Sequence, residues 1–239
     1  MAFGSSATAI DSTGSATSIA VTITPPNGSR VYLILSIIGQ LTFSITWPTG
    51  FTQVGTCNDS AQNHGGAAMF SVAEKLVAAN ESGTYTVSWS GALKVTLIAA
   101  YFTGRDPVAA LSAKNFQSNV SNTASTSLAI GMSSINAVLG DDIFAIWSVS
   151  GAGSGTGAWS QSSLTASYTQ QNTIDQFDTG THLYNTTIGS RGGVATGATG
   201  TVSLTETNSN CTSGMDAFGA LLAIPAAIGS PPLIGMGLT

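Results

Sequence analysis

An all-β fold follows from three features of the 239-residue chain. In several segments apolar residues recur at every second position, the spacing that sets one face of a strand on a core and the other in water. Other segments are apolar without a break but short, and they are rich in β-branched and aromatic residues, as strands buried on both faces are. Between them stand Pro, Gly, Asn and Asp in turn combinations, and no amphipathic pattern exceeds two helical turns.

Taken in order, residues 1–16 are small, polar and unpatterned and read as an N-terminal arm, either flexible or an edge extension of a sheet. Thr17–Thr24 alternates as a first strand, closed by Pro25-Pro26-Asn27-Gly28. Arg30–Ile38 is a continuous apolar run, hence a central strand. Leu41, Phe43, Ile45 and Trp47 alternate, and Pro48-Thr49-Gly50 then has the chemistry of a turn. Phe51–Thr56 is strand-like, Asn58–Gly66 is a polar loop holding His64, and Ala67–Leu76 suits a strand better than a helical turn.

The stretch from Gly83 to Pro107 predicts a hairpin. Tyr85, Val87 and Trp89 alternate with Thr and Ser, Gly91 supplies the turn, and Val95 to Tyr101 forms a second, nearly all-apolar strand. Gly104-Arg105-Asp106-Pro107 ends it, because proline cannot donate to a ladder and restricts the residue before it. From there to Thr126 the chain is polar and reads as a connection. A second set of strands comes next: Leu128, Ile130 and Met132 alternate, Gly140-Asp141-Asp142 turns, and Ile143–Val149 is another buried run. Gly151–Gly157 is a glycine loop, Trp159–Tyr168 and Thr181–Ile188 are weaker strands, Gly189–Gly200 is loop, Thr201–Glu206 alternates, and Phe218–Ile224 is the last buried strand.

The second set repeats the first. Val31–Gly39 aligns with Ile143–Gly151, and Trp47 aligns with Trp159 at the same offset. Thr86-Val87-Ser88 aligns with Thr201-Val202-Ser203, and Leu97–Ala99 with Leu221–Ala223, at slightly larger offsets, as loop insertions would produce. The expectation is a jelly-roll-like antiparallel β-sandwich over residues 17–226, built from two similar halves, about 17–107 and 127–226, that share one core. Arms of residues 1–16 and 227–239 flank it.

Charged residues make up 7% of the chain, against about 25% in ordinary soluble domains. Such a surface offers little long-range repulsion and suits packing against identical neighbours. A net charge of -5 with six Lys and Arg argues against nucleic acid as a partner, since a row of phosphates would go unneutralised. No membrane partner is expected either: the longest apolar run, Ala217–Ile228, is interrupted by Gly219 and Pro225 and falls short of the ~20 residues of a span. Met1-Ala2-Phe3-Gly4-Ser5 has neither the basic nor the apolar region of a signal peptide. Cys57 and Cys211 are expected as free thiols, although they could form one bridge if they met in space.

No catalytic, cofactor or metal residues are expected. His64 and His182 have no partner at ligand spacing. Gly153-Ser154-Gly155 is not a nucleophile elbow, and Gly197-Ala198-Thr199-Gly200 lacks the lysine of a phosphate loop. Asp175 and Asp178 could pair as in glycosidases, but a spacing of three in a polar loop is weak support. Asp141 and Asp142 read as acceptors of turn amides, with a calcium loop using these or Asp175 and Asp178 as the competing reading. Asn27, Asn80, Asn119, Asn185 and Asn210 begin Asn-x-Ser/Thr triplets, expected by chance in so Ser/Thr-rich a chain. Trp47, Trp89, Trp147 and Trp159 sit in or beside strand patterns and read as core rather than as a carbohydrate platform.

After Ile224, Pro225, Pro231 and Pro232 forbid regular structure, yet Ile228, Leu233, Ile234, Met236 and Leu238 are apolar. This is the composition of an arm that docks on a neighbour, so Ile228, Pro231, Pro232, Leu233, Ile234, Met236 and Leu238 are the candidate partner-binding residues.

The order Pro25-Pro26, Val31–Ile38, Trp47-Pro48-Thr49-Gly50-Phe51-Thr52, Gly83-Thr84-Tyr85-Thr86-Val87 and Ala99-Ala100-Tyr101-Phe102-Thr103-Gly104-Arg105-Asp106-Pro107 resembles a β-sandwich family of tailed-bacteriophage virion proteins. In that family a Pro-x-Gly-Trp/Phe-Thr turn and an Ala-Tyr-x-Gly-x-Asp strand end recur. The Gly-Asp that usually precedes the first buried strand is Ser29-Arg30 here and reappears as Gly140-Asp141. The resemblance implies a non-enzymatic structural protein on the outer surface of the virion, assembled in the host cytoplasm. It would be a capsid decoration or cement protein, with itself (as a homotrimer) and the major capsid protein as partners and no cofactor. The alternative it implies is a tail or fibre component that binds host surface glycan.

Overall fold

The computed structural model describes residues 3–38, 44–58, 68–79, 81, 83–91, 93–123, 126–153, 158–177 and 182–227. Every described regular element is a strand. The first half holds β1 (Phe3–Asp11), β2 (Ser18–Thr22), β3 (Arg30–Ile38), β4 (Ile45–Thr46), β5 (Thr52–Asn58), β6 (Ala68–Leu76), β7 (Thr84–Trp89) and β8 (Lys94–Phe102). The second half holds β9 (Ala113–Thr123), β10 (Ser127–Met132), β11 (Asn136–Ala137), β12 (Asp142–Gly153), β13 (Ser160–Ser162), β14 (Thr169–Phe177), β15 (His182–Arg191), β16 (Gly197–Ala198), β17 (Val202–Thr207) and β18 (Cys211–Ile224).

Both halves build the same pair of antiparallel sheets. In the first, a five-stranded sheet β1-β8-β3-β6-β5 faces a three-stranded sheet β2-β7-β4. In the second, β9-β18-β12-β15-β14 faces β10-β17-β13, strand for strand the same order, and β11-β16 is a short added ribbon. The repeat read from the sequence is therefore a repeat of topology.

Residue pattern sorts the strands between the sheets. β7 alternates buried Tyr85, Val87 and Trp89 with exposed or half-exposed Thr84, Thr86 and Ser88, so it needs one wet face and lies in the outer sheet. β3 is buried at all nine positions and β8 at most of its positions, so both need a dry layer on each side and take central places in the five-stranded sheet. This overturns the hairpin expected from Gly83 to Pro107. β7 pairs with β2 and β4, β8 pairs with β1 and β3, and the connection between them crosses from one sheet to the other.

The all-apolar runs also explain why the core shared by the two halves is accompanied by two more. Each half closes over its own core. Val31, Leu33 and Leu35 meet Val21, Val87 and Trp89 in the first, and Ile143, Trp147 and Val149 meet Ile130, Val202 and Leu204 in the second. The alternate residues of the same strands face the other way into a third core between the two five-stranded sheets. There Tyr32 and Phe102 lie 5.5 and 5.2 Å from Phe144 between ring centroids, and Phe70 stacks on Phe218 at 5.8 Å. The result is four stacked sheets, outer, inner, inner, outer. Ser36 and Ser148, equivalent positions of the repeat, each lie 3.0 Å from the buried Thr186 hydroxyl and pin the halves at one point.

Two further expectations are corrected, and the N-terminal arm takes the second of its two readings, an edge extension: it contains β1, whose backbone pairs with β8 from Phe3 to Asp11 at the sheet edge, with small residues such as Ala7 and Ala9 packed against the first core. The polar connection contains β9, an edge strand paired with β18, and edge strands bear polar residues readily. The Asp175 segment, read as a loop, is β14, also a sheet edge. Leu41 and Phe43, expected in a strand, lie outside the described residues, and so do Ile228, Pro231, Pro232, Leu233, Ile234, Met236 and Leu238.

Candidate interaction surface

The chain between β8 and β9 crosses from one half to the other at one end of the stack, and a buried ion pair anchors it. Arg105 Nε lies 2.9 Å from Asp142 Oδ2, with both side chains almost wholly enclosed. Arg105 Nη1 donates to the Gly140 carbonyl at 2.8 Å, and Asp142 Oδ1 accepts from the Gly193 amide at 2.9 Å. Burial raises the Asp142 carboxyl above its ordinary range, against the opposing pull of Arg105. Arg105 also bridges to Ala226, and the Asp106 amide donates to the Pro225 carbonyl at 3.1 Å, so the last described residues are tied to the same place.

Two aspartates then shape the surface. Asp106 Oδ1 accepts from the Val108 and Ala109 amides, both at 2.9 Å, and these bonds lower its pKa. Asp141 Oδ2 accepts from the Val138 amide at 2.8 Å and its Oδ1 from the Ser112 hydroxyl at 3.2 Å. Gly140 completes this turn at a φ of +88°. Both turns are held from inside by their polar atoms, so their apolar side chains are turned outward. Val108 is 87% exposed, Leu139 72% and Val138 54%. Val138 and Leu139 line a cleft of about 340 Å³ whose walls also include Asp106, Ala109, Pro225 and Ala227, while Val108 borders a neighbouring hollow beside Arg30 and Lys75. Such a surface offers apolar contact on a rigid frame.

A second polar cluster is buried in the other direction, between β14, β15, β13 and β17. Asn185 Nδ2 donates to Asp175 Oδ1 at 2.6 Å and to Thr173 Oγ1 at 2.7 Å. Thr187 Oγ1 lies 2.9 Å from both Asn185 Oδ1 and Glu206 Oε1, and Gln161 Nε2 donates to Glu206 Oε2 at 2.8 Å. One hydroxyl proton cannot serve both acceptors, so a proton on Glu206 completes the network. Burial pushes the Glu206 carboxyl up to about 7, and the charge of Asp175 adds to the rise. Glu206 and Asn185 are fully enclosed, which makes this cluster part of the frame.

The remaining candidates from the sequence are scattered. Asp141 and Asp142 accept turn and loop amides as expected, and Asp142 has Arg105 in addition. Asp175 is in β14, while Asp178 and His64 lie outside the described residues, and His182 opens β15. Trp89, Trp147 and Trp159 are buried, and Trp47 is half-buried against the first core. Asn185 of the Asn-x-Thr triplets is enclosed and unavailable for modification. Cys57 and Cys211 are free thiols in different cores, with burial pushing their pKa up to about 12 and about 11. Among the described residues no group of three or more His, Cys, Asp or Glu could hold a metal ion, and no helix is long and apolar enough to cross a membrane.

Sequence reasoning missed Val108, Val138 and Leu139. The signal was there: a Val-Leu pair directly before Gly140-Asp141, and a valine directly after Pro107, are apolar residues placed inside turn chemistry. No family model, curated protein or solved structure matches the chain.

Proposed function

We propose that the chain is a non-enzymatic structural protein of a tailed-phage virion, a decoration or cement protein that binds and stabilises the head shell from outside. The observation that carries this reading is the apolar end formed by Val108, Val138 and Leu139 on a rigid four-layer frame with few charges. Exposed apolar side chains on a stiff frame fit adhesion between proteins. In each half the first strand pairs with the last, and most successive strands alternate between sheets. That order favours the jelly-roll reading, and with it the resemblance to virion sandwiches. Repeated copies would meet one another as a homotrimer and meet the major capsid protein beneath, with the segment after Ala227 as the docking arm.

The alternative, a tail or fibre component that binds host glycan, calls for an exposed aromatic row. Three of the four tryptophans are buried, so this reading ranks second. Quantitative mass spectrometry of purified particles separates the two. A copy number matching the repeating subunits of the shell is expected, and a copy number matching a tail would reverse the ranking.

A further inference from the structure

We infer that the buried chain Asp175–Asn185–Thr187–Glu206 is a proton-operated latch, which fastens the edge strand β13 to the inner sheet while Glu206 holds a proton and loosens it when the proton leaves. β13 has little else to hold it. It is three residues long, pairs with β17 alone and ends the outer sheet β10-β17-β13. Its side chains are exposed or half-buried, so beyond its short ladder it relies on polar ties and on the buried ring of Trp159 just before it. Two of those ties end on the carboxyl groups of the chain. The Trp159 amide donates to Asp175 Oδ2 at 3.3 Å, and Gln161 Nε2 donates to Glu206 Oε2 at 2.8 Å.

The number of protons in the chain makes the link depend on Glu206. Asn185 Nδ2 donates to Asp175 Oδ1 and to Thr173 Oγ1, which leaves the Thr173 hydroxyl to donate to Thr187 Oγ1 at 3.0 Å. Thr187 then has one proton for two acceptors, Asn185 Oδ1 and Glu206 Oε1. A protonated Glu206 donates to Thr187, Thr187 donates to Asn185, and both acceptors are served. An ionised Glu206 takes the Thr187 proton and strands Asn185 Oδ1 in a site closed to water.

The charges around this carboxyl do not favour its ionised form. β10 and β13 carry no titratable side chain, and β17 carries only Glu206 itself. β14 brings Asp175, whose negative charge opposes ionisation, and β18 adds to the same core Cys211, which burial keeps as a neutral thiol. On β12, Asp142 is paired with Arg105 at the end of the molecule where the chain crosses between halves. β15 opens at His182, has Tyr184 in the core between the halves, and carries Arg191 over the Tyr168 ring, about 20 Å from Asn185 at ~3.3 Å per residue. Burial first, and Asp175 after it, push the Glu206 carboxyl from an ordinary 4.5 up to about 7. The latch is therefore fully fastened below pH 4.5 and weakens as the pH rises to about 7. Rising pH thus uncovers the β17 edge of the second outer sheet. The first outer sheet has no such response, since β2, β4 and β7 carry no carboxyl group.

Hydrogen–deuterium exchange of the full-length chain, corrected for the intrinsic effect of pH on exchange, tests the latch. Between about pH 5 and about pH 7 the protection of residues 159–162 is expected to fall at least about tenfold, the factor that one pKa unit supplies. Glu206→Gln, whose amide serves both Thr187 and Gln161 with no proton to lose, is expected to keep that protection, with β7 unchanged in both proteins. No fall in the parent, or an equal fall in Glu206→Gln, would overturn the inference. A second measurement needs no variant: carboxyl-13C labelling of glutamate in the parent reports on Glu74, Glu81 and Glu206. The Glu206 signal is expected to titrate with a midpoint of about 7, in step with the loss of protection. A Glu206 midpoint at the ordinary 4.5, or a titration that protection does not follow, would overturn it as well.

Discussion

Asp142 is kept inside the molecule by Arg105, and neither residue reaches water to any extent. Removing one partner of such a pair costs more than the pair contributes, because a desolvated charge is left behind. Arg105→Met is expected to lower stability by about 3–5 kcal/mol, and adding Asp142→Leu to restore much of that loss, both read from urea midpoints. Glu206 carries a pH dependence whose sign comes from its environment. Its folded pKa, about 7, lies above the ordinary value of 4.5, so the folded chain holds this proton more tightly than the unfolded chain. The resulting stability is full below pH 4.5 and is lost as the pH rises to about 7. The loss is about 3 kcal/mol at 1.36 kcal/mol per pKa unit. Glu206→Gln is expected to flatten that decline in thermal melts across the interval, and an unchanged slope would contradict it. The position was legible in part: Val202, Leu204 and Glu206 share one face of an alternating strand, so the period points the carboxyl inward. Its partners Asn185 and Thr187 were not legible, because nothing local announces which polar residues of distant strands will meet.

At the scale of elements, alternation and continuity located most strands, and they also held the answer to a question the hairpin reading got wrong. A strand with one wet face suits an outer sheet and a strand dry on both faces suits an inner one, and β7 and β8 divide between the two sheets in that way. The edge strands β9 and β14 were missed because their polar composition matches that of loops, and only backbone pairing with β18 and β15 defines them. Turn glycines give a clean test of element geometry. Gly83 has a φ of +73°, and a Cβ there would strike the Ile23 carbonyl oxygen, whereas Gly91 has a φ of +89° with open space around it. Gly83→Ala is therefore expected to cost at least about 1 kcal/mol more than Gly91→Ala, since only the first adds a collision to the backbone strain. Equal urea midpoints for the two variants would contradict this placement of the loop before β7.

For the whole molecule, the decisive feature is the core between the two inner sheets, which neither half can cover alone. Residues 1–107 expressed without the rest would present Tyr32, Ile34, Phe70 and Phe102 to water. That fragment is expected to self-associate, while the intact chain unfolds in a single calorimetric transition; two separate transitions would show that the halves do not depend on each other. The repeat was legible in the sequence because the two central runs keep one offset. The doubling of the sandwich was hidden in the same runs, which are apolar on both faces and so call for a layer on each side. The arm residues lie outside the described part of the chain, and the exposed Val108, Val138 and Leu139 sit in turns that a strand-based reading passes over. The central claim is that this frame serves adhesion on a phage shell. Cryo-electron microscopy of purified particles tests it most directly. The account predicts four-sheet density at every equivalent site on the outside of the head, and density confined to the tail, or none on the particle, would contradict it.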